Sequence, residues 1–371
     1  MKIIIVTAAT NTIPRFRIEM LESWVDSNAD VLVLGDEPES AWGGYFEGRG
    51  MRYRSYSVSR NGLNPMADAR TLRELKDVFF EEQPDKVFTY QAKPNIYGCL
   101  AAHSAGVSEV YVMMGGLGSV FSSDDPKSRC VRAVVSCEYK IALRHAKKVF
   151  FQNGEDLSTL KKAGIVRAEQ VVMVRGSGVN VERFALAPLP EKLSFLFVGR
   201  LVRGKGVFEY LDAARMVKSR HPEVEFHLVG PFDTNPTSLT PEKLQPYIDD
   251  GVVAYHGEQK DVRPFLRACS VFVLPSYYGE GTPKAALEAM ATGRPLIVAD
   301  AVGCREVVRQ EENGLFVPPK DAGALEEAMV RLIEDPRLVR AMGLASRRFV
   351  EERFDVRKVN DVIAVTMGIS K

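Results

Sequence analysis

Short runs of apolar, often β-branched residues alternate along the chain with segments of helical spacing. This alternation is typical of βαβ units and predicts a doubly wound, parallel α/β sheet. In the first half, the predicted strands cover residues 2–6, 31–34, 52–58, 86–90, 109–113, 148–151 and 171–174. Helical spacing is seen over residues 15–25, 68–80 and 96–105.

The alternation stops at residues 185–190, Ala-Leu-Ala-Pro-Leu-Pro, where two prolines indicate a linker. It resumes with predicted strands around Phe195 and over residues 225–229, 252–255, 271–274 and 296–299. We therefore predict two Rossmann-like domains with a boundary near residue 188.

Length, charge, cysteine content and the length of apolar runs limit the classes to which the protein can belong. The length of 371 residues suits two domains, and 49 basic against 48 acidic side chains make nucleic acid an unsuitable partner. Five cysteines without C-x-x-C spacing indicate neither a disulfide framework nor a zinc site, so a reducing cytoplasm is the expected compartment. No run of apolar residues approaches the 18 or more of a membrane span.

The clearest chemical signal surrounds one predicted helix. Thr282 can cap this helix, Pro283 suits its first position, and Gly293 can end it in a left-handed conformation. Glu280 then precedes the helix and Glu288 lies within it, with free backbone N–H groups between them. A helix N-terminus attracts a diphosphate, while the carboxylates can accept hydrogen bonds from sugar and ribose hydroxyls. This pattern predicts a nucleotide-sugar site.

A second segment places cations beside another predicted helix. The predicted strand around Phe195 ends at Gly199, and a glycine-rich loop carries Arg200 and Lys205 before helical spacing begins at Val207. A guanidinium can bind phosphate oxygens bidentately, and an ammonium acts as a point charge. The loop therefore predicts a second set of diphosphate contacts.

Arg200, Lys205, Glu280 and Glu288 together resemble the signature of retaining glycosyltransferases of family 4, which have the GT-B fold. The resemblance covers most of residues 193–354. It implies that Arg200 and Lys205 hold the donor diphosphate, that Glu288 binds the ribose hydroxyls, and that Glu280 contacts the donor sugar beside the reacting carbon.

The same resemblance implies an N-terminal acceptor domain (1–188) and a donor domain (189–352) that face a central cleft. A C-terminal helix (353–371) should pack back on the first domain. The predicted catalytic residues are Glu280, Arg200 and Lys205, and the predicted donor-binding residues are Glu288, Gly281, Thr282, Pro283 and Gly199. We expect no metal and no other cofactor, because the sequence has no Asp-x-Asp motif.

Further segments resemble a narrower group, the bacterial enzymes that extend glycans on undecaprenyl diphosphate, including N-acetylhexosamine transferases. These segments are residues 59–65, 93–98, 115–119, 176–180 and 230–236. Loops at the predicted strand ends of the first domain give four acceptor-side candidates, Lys93, Asn95, Gly116 and Gly118. The first loop, Thr-Ala-Ala-Thr-Asn at residues 7–11, lacks the Gly-Gly pair of many relatives, which leaves the acceptor-side chemistry open.

Three other functions fit parts of the pattern. Residues 199–205 match the phosphate-binding loop of NTPases, but Gly206 stands where that loop needs a Ser or Thr for Mg²⁺. UDP-sugar 2-epimerases of the same fold would bind the donor without an acceptor. A non-catalytic sugar-nucleotide-binding subunit is the third, and it is disfavoured because all four anchor residues are present.

We therefore predict a hexosyltransferase that moves a sugar from a UDP-sugar to a lipid-linked glycan (undecaprenyl diphosphate). The favoured donors are UDP-GalNAc and UDP-GlcNAc. The expected process is the assembly of cell-envelope polysaccharide, lipopolysaccharide or glycoprotein glycans. The expected place of the protein is the cytoplasm, peripheral on the inner face of the membrane. Residues 127–148 carry seven Lys or Arg side chains against Glu138, with apolar residues at helical spacing. This helix could contact anionic lipid, or pack on the core with a solvated basic face.

Overall fold

The computed structural model describes residues 1–59, 64–122, 125–235 and 238–369. Its contacts divide the chain into two compact units, with Met1–Ser177 and Val359–Lys371 in unit 1 and Gly178–Lys358 in unit 2. Two of the segments that carry the narrower resemblance lie partly outside the described residues, at 60–63 and at 236.

In the described part of unit 1, seven parallel strands form a sheet in the order β3-β2-β1-β4-β5-β6-β7. The strands are β1 (Lys2–Thr7), β2 (Asp30–Gly35), β3 (Arg52–Ser55), β4 (Lys86–Tyr90), β5 (Val110–Met114), β6 (Lys148–Phe151) and β7 (Val171–Met173). The helices are α1 (Ile13–Phe16), α2 (Ile18–Asp26), α3 (Glu39–Glu47), α4 (Pro65–Glu82), α5 (Cys99–Ser104), α6 (Ser119–Ser122), α7 (Pro126–Ala142) and α8 (Gly154–Lys162), and a π-helical turn at Pro94–Gly98 precedes α5.

The first strand shows how the sequence builds this sheet. Ile4 and Val6 are buried in the core on one face, whereas Ile3 and Ile5 are buried in the core on the other. Side chains alternate across a strand, so an unbroken apolar run is what a sheet covered on both faces requires. The last helix, α15 (Val356–Met367), adds buried side chains such as Ile363 to the second of these cores.

Unit 2 has, within its described residues, a six-stranded parallel sheet in the order β10-β9-β8-β11-β12-β13. Its strands are β8 (Ser194–Val198), β9 (Glu225–Val229), β10 (Ala254–Tyr255), β11 (Val271–Leu274), β12 (Leu296–Ala299) and β13 (Gly314–Val317). Its helices are α9 (Val207–Lys218), α10 (Pro241–Asp249), α11 (Arg263–Ala268), α12 (Lys284–Ala291), α13 (Ala322–Glu334) and α14 (Pro336–Arg353). The predicted class, α/β with two doubly wound parallel sheets, is confirmed.

The division between the units differs from the predicted boundary near residue 188. Residues 178–188 belong to unit 2, because side chains of that unit hold their backbone. Arg347 Nη1 donates to the carbonyls of Val181 (3.1 Å) and Phe184 (3.0 Å), and Arg294 Nη2 donates to that of Pro188 (2.9 Å). The two-proline segment is thus anchored by hydrogen bonds, which proline content alone does not reveal.

Two local predictions also differ from the structure. Strand β13 was not predicted, because it begins with Gly314 and offers only three apolar residues in a row. The basic helix predicted over residues 127–148 ends at Ala142, a short 3₁₀ turn follows, and Lys148 begins β6. Among the helices that the structure describes, none is long and apolar enough to cross a membrane.

Candidate functional site

The loop after β8 carries both predicted diphosphate cations. Arg200 follows Gly199 at the carboxyl end of the strand, and Lys205 ends a 3₁₀ turn directly before α9. Gly206 has φ +75°, and a Cβ atom there would lie 2.2 Å from the Pro275 carbonyl oxygen. Only glycine fits this left-handed, tightly packed position. Gly206, which stands where an NTPase loop needs Ser or Thr, is therefore required here by its packing against the loop after β11.

An ion pair joins the two segments that the sequence singled out. Lys205 Nζ lies 2.8 Å from Glu280 Oε2, and their side chains are 15% and 13% exposed. Few water molecules reach such a pair, so its attraction is screened less than that of a surface pair. The predicted diphosphate cation and the predicted sugar carboxylate thus meet at one point of unit 2.

Arg200 has different partners. Its Nη1 donates to Asp233 Oδ2 at 2.9 Å, and its guanidinium lies 5.3 Å from the ring centre of Tyr278. Partial burial lowers the pKa of Arg200, but Tyr278 and Asp233 outweigh that effect and raise it. Arg200 therefore stays a cation, held beside Lys205, which itself lies 5.8 Å from the same ring.

Glu280 is positioned by Ser276, Lys205 and Gly303. Ser276 Oγ donates to Glu280 Oε1 at 2.6 Å, so the carboxylate is held from both oxygens. Gly303, with φ +79°, approaches so closely that its Cβ atom would lie 2.4 Å from the Glu280 carbonyl oxygen. Burial is the main cause that raises the pKa of the neighbouring Cys304 thiol, and the negative charge of Glu280 raises it further. The thiol is therefore neutral.

Helix α12 begins one residue later than predicted. Pro283 is the N-cap and Lys284 the first helical residue, whereas Thr282 was expected to cap the helix. Pro283 has no N–H group, and its ψ of 113° is extended, so the helical conformation starts only after it. Gly293 has φ +82° just beyond the helix, as predicted.

The side chains on α12 are nearly all buried. Glu288 is 2% exposed, and Gly281, Thr282 and Pro283 are also buried. Lys284 Nζ donates to the Gly178 carbonyl at 2.5 Å, which ties the helix start to the first residue of unit 2. A carboxylate with so little exposure points to a specific partner rather than to a solvated helix face.

Two acceptor-side candidates, Lys93 and Asn95, make firm contacts inside unit 1. Lys93 Nζ pairs with Asp68 Oδ1 at 2.6 Å. Asn95 Oδ1 accepts from Thr89 Oγ1 at 2.8 Å, and its Nδ2 donates to the Met113 carbonyl at 3.0 Å. Asn95 thereby fastens the π-helical turn to the sheet.

The other two candidates, Gly116 and Gly118, both have positive φ, at 119° and 73°. Between them, the Leu117 N–H donates to the Asp156 carboxylate. Burial raises the pKa of Asp156 to about 6, against the opposing effect of hydrogen bonds from Asn153 and Leu117. The glycine loop is thus tied to the start of α8 by a buried carboxyl group.

Sequence reasoning missed four residues of the site, Asp233, Ser276, Tyr278 and Gly303. Asp233 lay in a segment that was noted only for its resemblance, and the other three carried no local signal. Of the residues that the structure describes, no group of three or more His, Cys, Asp and Glu is arranged to hold a metal ion.

The fold and the site define a GT-B glycosyltransferase. Residues 192–335 match the family model described as Glycosyl transferases group 1. The chain is a glycosyltransferase, and its second unit carries the glycosyl transferase group 1 domain. The match spans the segment that carries Arg200, Lys205, Glu280 and Glu288, the four residues on which the resemblance rests.

Two curated relatives and one solved structure are similar to most of the chain. The chain is 28% identical over 352 residues to N,N'-diacetylbacillosaminyl-diphospho-undecaprenol alpha-1,3-N-acetylgalactosaminyltransferase of Campylobacter jejuni, covering 91% of each chain. It is 28% identical to UDP-Gal:alpha-D-GlcNAc-diphosphoundecaprenol alpha-1,3-galactosyltransferase of Escherichia coli, covering 83% of this chain and 81% of the relative. The crystal structure of Anabaena Alr3699/HepE in complex with UDP and glucose shares the fold, with a TM-score of 0.81 at 19% identity and 99% coverage of both chains.

Proposed function

We propose that this chain transfers a hexosyl unit, with retention of configuration, from a UDP-sugar to a hydroxyl of a glycan on undecaprenyl diphosphate. The favoured donor sugar is an N-acetylhexosamine, GalNAc or GlcNAc. The observation that carries the proposal is the ion pair of Lys205 and Glu280. It places a cation suited to a diphosphate next to a carboxylate suited to sugar hydroxyls.

Donor binding uses the charges of unit 2. Arg200, Lys205 and the free N–H groups at the start of α12 neutralise the diphosphate, and Glu288 accepts hydrogen bonds from the ribose. In the structure each cation has a carboxylate partner, Asp233 or Glu280. Donor binding therefore exchanges these partners for phosphate oxygens, and Glu280 is released towards the sugar.

The transfer step requires no covalent intermediate. The bond between the anomeric carbon and the diphosphate oxygen breaks, and the negative charge that develops on UDP is stabilised by Arg200 and Lys205. The acceptor hydroxyl attacks on the same face and gives its proton to that leaving oxygen. Glu280 stabilises the positive charge at the anomeric carbon. The products are UDP and a glycan one sugar longer, with the donor's configuration kept.

The acceptor class is supported by the relatives, whose names specify diphospho-undecaprenol or diphosphoundecaprenol glycans. The epimerase and binding-subunit alternatives make different predictions about turnover. Incubation with a panel of UDP-sugars, with and without prenyl-diphosphate glycans, separates the three. We expect UDP release that depends on the acceptor. Isomerised UDP-sugar without acceptor would favour an epimerase, and binding without turnover would favour a binding subunit.

Glu288→Gln should weaken UDP binding by about 10- to 100-fold, because hydrogen bonds to a charged group contribute roughly 1.5–3 kcal/mol. The ribose contact exists before chemistry begins, so the loss should appear in titration calorimetry with UDP alone. Glu280→Gln is the matched control, since it changes the other carboxylate. Equal UDP affinity of wild type and Glu288→Gln would contradict the ribose role.

EDTA should leave the rate of transfer unchanged. Two cations and a helix terminus can neutralise the donor diphosphate without Mg²⁺ or Mn²⁺. The measurement is the initial rate with and without EDTA after the protein has been passed over a chelating resin. Loss of activity in EDTA that Mg²⁺ restores would contradict this prediction.

A surface on α7 supports peripheral membrane contact. Cys130, Val134, Cys137 and Ile141 recur at helical spacing on its exposed side, and Val134 and Ile141 are 46% and 49% exposed. Exposed cations flank this stripe, namely Lys127, Arg129, Lys140 and Arg144. Ala142 and Leu143, two apolar residues of the predicted basic helix, are buried in the core. An apolar stripe between cations suits an interface of anionic lipid.

Replacing Lys140 and Arg144 by Glu should reduce co-sedimentation with anionic liposomes, since each cation near such a surface contributes about 1 kcal/mol. Binding of the wild type should also fall with added salt. Arg132 is not a suitable target, because its Nη1 donates to the Phe121 carbonyl at 3.0 Å.

The matched control replaces Lys161 and Lys162, two exposed cations on α8, by Glu. It makes the same change in net charge on a different helix. Wild type, the α7 variant and this control would partition equally if α7 were not the membrane contact.

A further inference from the structure

Two histidines of unit 2, His227 and His256, face each other outside the donor contacts described above. His227 lies on β9, and His256 directly follows β10, the edge strand of the sheet. His227 Nδ1 and His256 Nε2 are 3.1 Å apart, which is hydrogen-bonding distance. This histidine pair therefore joins the edge strand to its neighbour through side chains.

Apolar residues of three elements adjoin the two rings. Leu196 of β8 and Ala254 of β10 stand opposite His227 in the register of the sheet. The Phe265 ring of α11 lies 4.9 Å from the His256 ring, measured between ring centres. Burial disfavours a charged imidazole, and it is the main cause that lowers the pKa of both histidines from the ordinary value of 6.5.

The nearest charged group is a carboxylate on the same strand. Glu225 Oε2 lies 3.6 Å from His227 Nε2, and its charge opposes the effect of burial on the pKa of His227. Glu225 Oε1 also pairs with Lys192 Nζ at 3.3 Å. A proton on His227 acts on the other ring, because its positive charge lowers the pKa of His256 further.

Charged residues between His256 and α11 act on other groups. Asp261 Oδ2 pairs with Arg263 Nη2 at 2.7 Å. Burial, followed by the negative charge of Glu258, raises the pKa of Tyr255. The protonation of the pair is thus governed by burial, by Glu225 and by the charge of each ring on the other.

The contact between the rings depends on the number of protons that the pair holds. One of the two facing nitrogens must accept the hydrogen bond, so it carries no proton. A first proton fits, because His227 Nδ1–H can donate to His256 while Nε2–H faces Glu225. A second proton places N–H groups on both facing atoms, and two imidazolium charges then repel each other.

The direction of the pH dependence follows from the lowered pKa values. As the pH falls through 6.5, the unfolded chain takes up protons before the folded pair does. The stability that the pair contributes is therefore fully present above that pH and is lost below it. The side-chain contact between β9 and β10 is intact at neutral pH and is broken in acid.

Both neighbours of His256 hold the backbone of Gly230. The Gly230 N–H donates to the Gly257 carbonyl at 2.9 Å, and the Tyr255 hydroxyl donates to the Gly230 carbonyl at 2.9 Å. A Cβ atom on Gly230 would lie 1.8 Å from the Gly199 carbonyl oxygen. Gly230 thus packs directly on the backbone at the end of β8, where the donor loop begins.

Three residues after Gly230, Asp233 Oδ2 accepts from Arg200 Nη1 at 2.9 Å. The position of β10 therefore affects both the backbone beside the donor loop and the carboxylate that holds Arg200. We propose that the histidine pair positions Arg200 for the donor diphosphate at neutral pH and releases it in acid. The inference rests on the proposed function only for the role of Arg200 as a diphosphate ligand.

His256→Gln tests this role, because glutamine does not titrate and its amide can either donate to His227 or accept from it. The affinity of the wild type for UDP-GlcNAc should fall about tenfold from about pH 7.5 to about pH 5.5, a range that spans the ordinary pKa of histidine. In His256→Gln it should fall by less than about threefold. The probe is a UDP-sugar because its diphosphate keeps its charge over this range. Titration calorimetry measures both affinities.

His221→Gln is the matched control. His221 lies in the same unit, and its Nδ1 is 3.6 Å from Glu223 Oε1, so a carboxylate takes the place that Glu225 has beside His227. This control should show the pH dependence of the wild type. His227→Gln should instead behave like His256→Gln, because either substitution removes the second proton.

Proton NMR of the imidazole C–H groups follows the histidine pair without any donor. The two rings should titrate as a coupled pair, with the second proton taken up at a lower pH than the first. Independent titration of both rings near the ordinary value of about 6.5 would overturn the inference.

The remaining outcomes separate this inference from the proposed function. Coupled titration, together with an equal pH dependence of UDP-GlcNAc affinity in the wild type and His256→Gln, would overturn the link to Arg200 and leave the transferase intact. Failure of all four proteins to bind UDP-GlcNAc or UDP-GalNAc at neutral pH would overturn the donor site, and this inference with it.

Discussion

Glu280→Gln should lower kcat by about a thousandfold, or roughly 4 kcal/mol, and leave UDP affinity equal to or higher than that of the wild type. The first effect follows because a neutral amide cannot stabilise the charge that develops at the anomeric carbon. The second follows from the structure. Glu280 holds Lys205 in an ion pair, and removal of its negative charge frees this cation for the diphosphate.

Ser276→Ala is the graded control for this variant. It removes the hydrogen bond from Ser276 Oγ to Glu280 Oε1 but keeps the charge of the carboxylate. We expect a loss of about tenfold in kcat, since a hydrogen bond to a charged group contributes roughly 1.5 kcal/mol or more. Steady-state kinetics on both variants measures the loss in kcat, and calorimetry with UDP measures the change in UDP affinity. Near-normal turnover of Glu280→Gln would remove Glu280 from the catalytic site.

Lys205→Met should lower kcat/KM for the donor by about 100- to 1000-fold and also destabilise the protein. The variant loses the cation that balances the leaving diphosphate. It also leaves Glu280, with only 13% of its side chain exposed, without its cationic partner, which should cost about 2 kcal/mol in free energy of unfolding. Donor kinetics and chemical denaturation measure the two effects separately.

Two further variants isolate the cause. Arg203→Met changes an exposed cation in the same 3₁₀ turn and should leave both quantities near wild type. The double variant Lys205→Met with Glu280→Gln should recover the stability but not the activity, because the unpaired carboxylate is gone. A double variant as unstable as Lys205→Met alone would show that the ion pair is not the source of the loss.

Much of the fold follows from local pattern. Strands such as β4, β6, β9, β11 and β12 have the predicted bounds, because each is a short, mainly apolar run of the kind that a sheet buried on both faces requires. The placement of Arg200, Lys205 and Glu280 beside strand ends and helix starts could also be predicted, since their segments carry glycine and proline signals. Lys205 Nζ and Glu280 Oε2 lie 2.8 Å apart. This follows because the loops that carry them leave the carboxyl ends of β8 and β11, which are neighbours in the same parallel sheet.

The remainder depends on contacts between distant residues. Ser276 and Gly303 support Glu280 through a side-chain bond and a close backbone approach, neither of which a sequence window contains. Helical spacing on α7 indicated an apolar stripe but not which residues face the core. Val134 and Ile141 are exposed, while Ala142 is buried. The linker prolines could not show that Arg294 and Arg347 bind that segment to unit 2.

The configuration of the newly formed linkage tests the central claim most directly. The donor sugar of UDP-GalNAc or UDP-GlcNAc is α-linked, so retaining transfer supported by Lys205 and Glu280 must produce an α-linked product. Proton NMR of the glycan released after a short reaction gives the coupling between H1 and H2 of the added sugar. We expect the small coupling of an α linkage, formed together with UDP and absent with Glu280→Gln. The large coupling of a β linkage would contradict the account.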